Sequence, residues 1–373
     1  SSALISTNHS SLRSSIIMKN KAVLTVIALA IIAAVIIVPL ALSPSGGGSA
    51  LEEYDSYVYA MDTVMSLRAY SADAETANAA LAEAAGAIND LESRISVTDE
   101  NSEIYLINAT SDTPTAVSAD TAEIISRALD VCAGTNGNLD ISIYPVLRAW
   151  GFTDSEGGYR VPSYNEIQQL LRRVDYRDVQ VGGSTVTLAP GMQIDLGSVA
   201  KGYTGDLVAG ILEDAGITSA ILDLGGNVRA VGASPDGEPW RIGVQDPNDT
   251  ENYFGVISVT DKSVVTSGGY NRYFVEDGKT YWHILDPYTG YPADSGVIST
   301  TIVGDDGLVC DGLSTATFVM GVNESFDFWR KSGGDFDMLL LTENGHIYIT
   351  PGLEDCFELS SGYEGVYTVE VVH

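Results

Sequence analysis

The chain is short of positive charge. Among 373 residues, Lys and Arg number 19 against 50 Asp and Glu, a net charge of −31. A protein without a basic footprint is not built to hold nucleic acid. Strong acidity suits solubility outside a cell and repels polyanions. An anionic dinucleotide would therefore need local help from a cation, a metal ion or helix N-termini. Cysteine is scarce too. Cys132, Cys310 and Cys356 are too few and too scattered for a disulfide framework. The absence of a CxxC pair argues against a thiolate zinc site. They read as small buried hydrophobes, with one disulfide plus a free thiol as the alternative. Neither a Walker GKS/T order nor GxGxxG occurs. Of four histidines, His9, His283, His346 and His373, only His283 sits in a dense polar and aromatic segment.

What is present begins with an apolar, uncharged run from Ala22 to Leu42. At about 1.5 Å per residue such a helix spans the roughly 30 Å hydrocarbon core of a bilayer. Lys19 and Lys21 precede it, which orients the N-terminus to the cytoplasm and the body outside. Met-Lys-Asn-Lys at Met18 opens like a signal sequence, so 1–17 reads as an upstream extension. The run is longer than a usual signal core and favours an uncleaved anchor. Ala41-Leu42-Ser43 keeps a cleaved signal as the alternative. The expected organisation is a cytoplasmic segment 1–21, an anchor or signal 22–42, a Ser/Gly linker 43–52, and a body 53–373 held at the cell membrane on its outer side.

Within the body, helices are expected over Asp73–Ile95, over Thr121–Cys132 capped by Ser118 or Asp120, and over Tyr164–Val174 capped by Ser163. Strands are expected at Val179–Leu188, Ala220–Leu224 and Gly296–Val303, with a hairpin at Asp337–Thr350 closed by Asn344-Gly345. Helices and strands intermix without a βαβ rhythm. The fold class is therefore α+β, with largely antiparallel sheets and packed helices.

Four stretches carry chemistry. Gln193 to Asp206 holds Asp195, a Gly-containing turn, then Lys201 in the first turn of a helix ending at Gly216. Unpaired N–H groups at such a start favour anions; an ordinary turn with a solvent lysine is the plain alternative. Ile221 to Gly232 breaks a strand with Gly225-Gly226, which suggests a bulge or close approach to a ligand. Val265 to Tyr273 and Tyr281 to Pro292 surround His283, with Asp286 three residues on as a carboxylate that could fix the imidazole tautomer. In Val309 to Gly321, Asp311 and Thr315 share a helix face, so their oxygens can reach one hard cation. A capping aspartate beside a buried threonine is the plain alternative.

The order of these stretches is distinctive. Asp195-Leu-Gly-x-x-Ala-Lys-Gly, Gly225-Gly226, Thr266-Ser-Gly, His283-Ile-x-Asp-Pro-x-Thr-Gly-x-Pro292 and Asp311-x-Leu-Ser-Thr315 closely resemble the ApbE family of FAD:protein FMN transferases. Met61-Asp-Thr63, Ser96 to Asn108 and Asp140 to Phe152 resemble further family segments, so the resemblance covers roughly Tyr54 to Val369. It implies an α+β, T-fold-like body. It also implies transfer of the FMN half of FAD to a threonine of an exported redox protein, with release of AMP and a need for Mg²⁺. By matching position, Ser198, Asp311 and Thr315 would ligate the metal. Met61, Trp150, Gly151, Phe152, Asp195, Lys201 and Ile284 would line the FAD. His283, aligned by Asp286, would act on the threonine as base. The expected acceptor carries Asp-Gly-x-Ser/Thr-x-Ala-Thr.

Some residues depart from the family pattern. Asp62 replaces a usual glycine, Thr98 a tyrosine and Tyr288 a frequent arginine, while Tyr144 and Arg148 replace smaller or neutral residues. Two further readings concern the activity: an FAD pyrophosphatase, or a flavin-binding surface protein without turnover. A third comes from Asp311 to Thr317, which resembles the acceptor motif itself and would make Thr317 a flavinylation site.

Overall fold

Apolar residues alternate along the longest strands, and this alternation builds a sheet buried on both faces. The computed structural model describes residues 51–153 and 158–373. In chain order the strands are β1 (Glu52–Ala60), β2 (Thr63–Ser71), β3 (Thr115–Ala116), β4 (Val179–Val181), β5 (Thr185–Leu188), β6 (Ala220–Asp223), β7 (Asn227–Val231), β8 (Trp240–Asp246) and β9 (Asp249–Val259). There follow β10 (Ser263–Gly268), β11 (Tyr273–Glu276), β12 (Lys279–Trp282), β13 (Val297–Gly304), β14 (Asp337–Thr342), β15 (His346–Ile349), β16 (Phe357–Leu359) and β17 (Thr368–Val371). The helices are α1 (Ala74–Ile95), α2 (Glu103–Ala109), α3 (Ala119–Gly134), α4 (Tyr144–Trp150), α5 (Tyr164–Leu170), α6 (Ala200–Asp214) and α7 (Gly307–Ser332).

Nine strands form the main sheet in the order β1-β2-β6-β7-β10-β13-β14-β15-β17. Every neighbouring pair is antiparallel except β15 with β17. On one face, Met65, Leu67 and Ala69 of β2 and Ala220 and Leu222 of β6 meet Leu81, Ala84 and Ile88 of α1 and Val208 and Leu212 of α6. Val265, Ile302, Met338 and Leu340 continue this face under α3 and α7. On the opposite face, Ile221, Val264, Val303, Leu339 and Leu341 pack against Ile242, Val244, Phe254 and Ile257 of a second sheet, β16-β9-β8. Neighbouring positions such as Leu340 and Leu341 thus enter different cores. Each such burial stabilises by about 1.5–3 kcal/mol relative to exposure.

The expected mixed fold with antiparallel sheets is the one observed. Asp73, Ser118 and Ser163 accept backbone N–H bonds at the starts of α1, α3 and α5. Gly345, at φ +80°, closes the β14–β15 hairpin. Two expectations need correction. Val179–Leu188 is not one strand but the pair β4 and β5, because Gly183 at φ +63° reverses the chain. The third helix stops at Leu170 and tightens into a 3₁₀ turn over Leu171–Arg173. The expected anchor and nearly all of the linker lie outside the described residues. Among those described, no helix is long and apolar enough to cross a membrane.

One crossing sets the geometry of the interior. A Cβ placed on Gly202 of α6 would stand 2.0 Å from the Gly307 carbonyl oxygen, and one on Gly307 would stand 2.5 Å from that of Gly202. The two helix starts therefore meet backbone to backbone, which only glycine permits at both positions. Gly202→Ala should lower the unfolding free energy by about 2–3 kcal/mol in urea titration, as overpacking in a closed interior does. Gly210→Ala, on the same helix with no atom within 4 Å of the added methyl, should instead gain up to about 1 kcal/mol from helix propensity.

Candidate functional site at the start of helix α6

Helix α6 opens without a cap of its own. Its N-cap residue, Val199, offers no side-chain acceptor, so the first-turn N–H groups need partners from elsewhere. One comes across the glycine crossing: Asp311 Oδ2 accepts the Gly202 N–H at 2.9 Å. The Asp311 side chain is only 4% exposed. Burial pushes its carboxyl up, while the Lys201 cation and the α6 backbone N–H groups hold it down. Asn227 also favours the charged form, and its buried amide nitrogen completes no hydrogen bond. Thr315 lies one turn beyond Asp311 on α7 and is half-buried. Ser198 is half-buried in the turn before α6.

Lys201 reaches the other way. Its Nζ donates to the Gly225 carbonyl at 3.0 Å, tying α6 to the break between β6 and β7. Gly225 stands at φ +77°, where a Cβ would lie 2.3 Å from Thr63 Oγ1. Glycine is required both by conformation and by space. Asp223 accepts the Gly225 N–H at 2.9 Å. Met61, on the β1–β2 turn, brings its sulfur within 3.8 Å of Thr204 Oγ1 on α6.

His283 is half-buried at the end of the β11–β12 ribbon. Its Nδ1 lies 3.2 Å from the Arg272 carbonyl oxygen. A carbonyl only accepts, so Nδ1 carries the proton and Nε2 is left as a free base. Burial, followed by the Arg272 and Lys201 cations, holds the imidazole down at about 4. Arg272 also donates to the Phe152 carbonyl at 2.9 Å and to Asp62 Oδ2 at 3.2 Å. Asp195, folded back on the Gly197 N–H at 2.5 Å, is raised by burial and lowered by that bond and by Arg272.

Thus Met61, Lys201 and Asp311, with the neighbouring Ser198 and Thr315, gather at the start of α6, and His283 and Asp195 are joined to them by the charges of Lys201 and Arg272. Other candidates are placed differently. Asp286 does not align His283. Its oxygens accept the Tyr288 N–H at 2.8 Å and the Thr289 hydroxyl at 2.9 Å, closing the Asp-Pro turn. Trp150 is fully buried, donates to the Gly290 carbonyl at 2.8 Å and packs on Phe274, Tyr281 and Tyr291. Ile284 is buried against Phe318 and Val297. Phe152 is buried in the cluster around Trp150, and Gly151 ends α4 at φ +84°. Thr317, the candidate acceptor, is 0% exposed, and its hydroxyl donates to the Leu313 carbonyl at 2.7 Å.

Sequence reasoning missed Arg272, whose only signal was a cation between aromatics in an acidic chain. It also missed the Gly202–Gly307 contact: Gly202 closes the motif that starts at Asp195, but nothing in that motif names its partner.

A sequence model described as the ApbE family matches residues 61–340. The chain belongs to the ApbE family. Relatives named FAD:protein FMN transferase include one from Treponema pallidum, 31% identical over 83% of this chain and 90% of that protein. Another, from Vibrio cholerae, is 32% identical over 69% of this chain and 78% of that one. Among solved structures, the ApbE protein of Thermotoga maritima superposes with a TM-score of 0.71 at 32% identity, covering 85% of this chain and 100% of that one. The flavin transferase ApbE of Vibrio cholerae gives 0.71 at 26% identity, covering 84% and 99%.

In this ApbE chain a second carboxylate spans the same two helices. Asp206 Oδ2 accepts the Gly307 N–H at 2.8 Å, and burial with the nearby Asp306 charge raises its carboxyl to about 6. A raised acid binds its proton more tightly when folded. Its stabilising contribution is therefore full below the ordinary carboxylate range and is lost as pH rises through about 6. Unfolding free energy followed from acid to neutral pH should fall less steeply for Asp206→Asn than for the parent chain.

Proposed function

We propose that this chain transfers the FMN half of FAD to a threonine hydroxyl of an exported redox protein, releasing AMP, with Mg²⁺ at Asp311. The observation that carries the proposal is the Asp311 carboxylate bonded to the Gly202 N–H beside Lys201, with the His283 imidazole within reach of that lysine's charge. The relatives' names give the reaction class. The anchor read from Ala22–Leu42 is the reason for placing the body outside the membrane and the acceptor among exported proteins bearing Asp-Gly-x-Ser/Thr-x-Ala-Thr.

The donors suit a hard cation. Among the described residues no three His, Cys, Asp or Glu stand together. The candidate set is one buried carboxylate with the hydroxyl oxygens of Ser198 and Thr315, and Mg²⁺ completes such a set with water and phosphate oxygens. When bound, it would neutralise phosphate charge and stabilise the transferring group. Lys201, beside Asp311 in a protein of net charge −31, supplies the protein's own positive charge at that point. His283 presents Nε2 unprotonated at neutral pH. In the transfer, the threonine oxygen bonds to the FMN phosphorus, the bond to the AMP phosphate breaks, and Nε2 takes the hydroxyl proton.

Intact-mass spectrometry tests this with FAD, Mg²⁺ and an acceptor domain carrying the motif. The expected result is an FMN-sized gain on the acceptor that needs Mg²⁺ and is lost in Asp311→Ala. Release of FMN and AMP without a gain would instead show a pyrophosphatase. FAD binding without either product would show a binding protein. The enzyme itself should gain no FMN, because Thr317 is sealed within α7. His283→Ala should cut the transfer rate by about 10²–10⁴-fold. With the imidazole held down at about 4, the acid limb of the rate profile should fall below the ordinary histidine range of about 6.5.

A further inference from the structure

We infer that Arg272 is the positioning residue for His283, and that Asp62 is the strut that holds it. The inference rests on the transferase reading above and adds to it a source for the geometry of the base.

The peptide of Arg272 grips the His283 residue twice. Its carbonyl oxygen accepts the His283 backbone N–H at 3.1 Å and faces Nδ1 at 3.2 Å. The ring direction therefore follows the position of this one carbonyl. That carbonyl lies at the root of the two-stranded β11–β12 ribbon, and a lone two-stranded ribbon is marginal by itself. The Arg272 side chain ties the root to two other segments. One is the chain leaving α4, through the Phe152 carbonyl at 2.9 Å. The other is the β1–β2 turn, through Asp62 Oδ2 at 3.2 Å. The Phe152 ring meets the imidazole edge-on, with centroids 6.4 Å apart. Met61 and Asp62 hold positive φ angles of 50° and 60°, and the Met61 N–H is pinned by Glu92 at 2.7 Å. The strut thus starts from a turn already fixed to α1. Arg272 can serve this way because a planar guanidinium bonds a carbonyl and a carboxylate at once, whereas an ammonium is a single point charge.

The charged groups bearing on the ring are Arg272 from the ribbon root and Lys201 from α6. Asp62 and Asp195 are the carboxylates bearing on Arg272. Charge and position make different forecasts. Arg272→Gln removes both cation and strut. Arg272→Lys keeps the cation and loses the strut. Asp62→Asn keeps the cation and weakens the strut.

The test uses the full chain in detergent with histidine-selective nitrogen labelling, assigned by His283→Gln, beside transfer kinetics and FAD titration. In Arg272→Gln the His283 titration should move up by ~1 unit and kcat should fall by ~10–100-fold, the scale of a misplaced catalytic group. In Arg272→Lys the titration should stay near the parent value while kcat still falls ~10-fold. Asp62→Asn should lower kcat by several-fold with no upward titration shift, and its effect should vanish in an Arg272→Gln background. The Kd for FAD should stay within about 2-fold throughout, the tolerance expected of a residue that does not bind substrate. Full kcat in Arg272→Lys would overturn the positioning role and leave charge alone. Equal losses of kcat and FAD affinity would overturn it in favour of substrate binding. If Arg272→Gln does not fold, Arg272→Lys and Asp62→Asn decide the matter. If the parent chain transfers no FMN, the transferase reading falls, and the nitrogen spectra still show whether the Arg272 strut sets the His283 ring.

Discussion

The contact of Gly202 with Gly307 is the constraint on which the site depends. Two helices whose starts touch through backbone atoms leave no room for side chains between them. That closeness lets a carboxylate on α7 serve as the missing cap of α6, and a carboxylate on α6 cap the start of α7 in return. The exchange satisfies orphan N–H groups at both helix ends. It also buries Asp311, and burial pushes its carboxyl up while Lys201 and the N–H groups offset part of that rise. A buried carboxylate in such a place gains by facing a cation, so stability and function share one device.

Around this crossing the protein concentrates what its composition lacks. With 19 basic residues in 373, the chain places Lys201 and Arg272 within electrostatic reach of one imidazole. Burial and then these two cations disfavour the protonated ring, which keeps Nε2 unprotonated through the neutral range. The same pair opposes the negative charge that phosphates would bring. Other cations pair at the surface: Arg160 with Glu166, Arg241 with Glu358. Such exposed pairs add little stability.

Much of the fold was legible because local chemistry dictates it. Ser118 and Ser163 start helices since their hydroxyls accept first-turn N–H bonds. Asn344-Gly345 closes a hairpin because glycine takes the left-handed position. The ordered motifs identified the family, and with it Lys201, His283 and Asp311. Legibility failed where a residue's role depends on what it meets. Asp286 is three residues from His283 in sequence, yet its oxygens are taken by the turn it begins. Trp150 and Ile284 stand in motifs, and their side chains are buried in two apolar clusters that no local pattern announces.

By itself, then, the sequence determined the element types, the antiparallel mixed architecture and the stretches that carry chemistry. These follow from periodicity, capping and glycine stereochemistry, all readable over a few residues. Only the tertiary structure decided the partners: Asp311 with Gly202 across 109 positions, Asp62 with Arg272 across 210. It also decided that Arg272, rather than Asp286, orients the imidazole. Contacts at such separations depend on how sheets and helices stack. Local propensity does not encode that stacking, and a fit to within an ångström sets it.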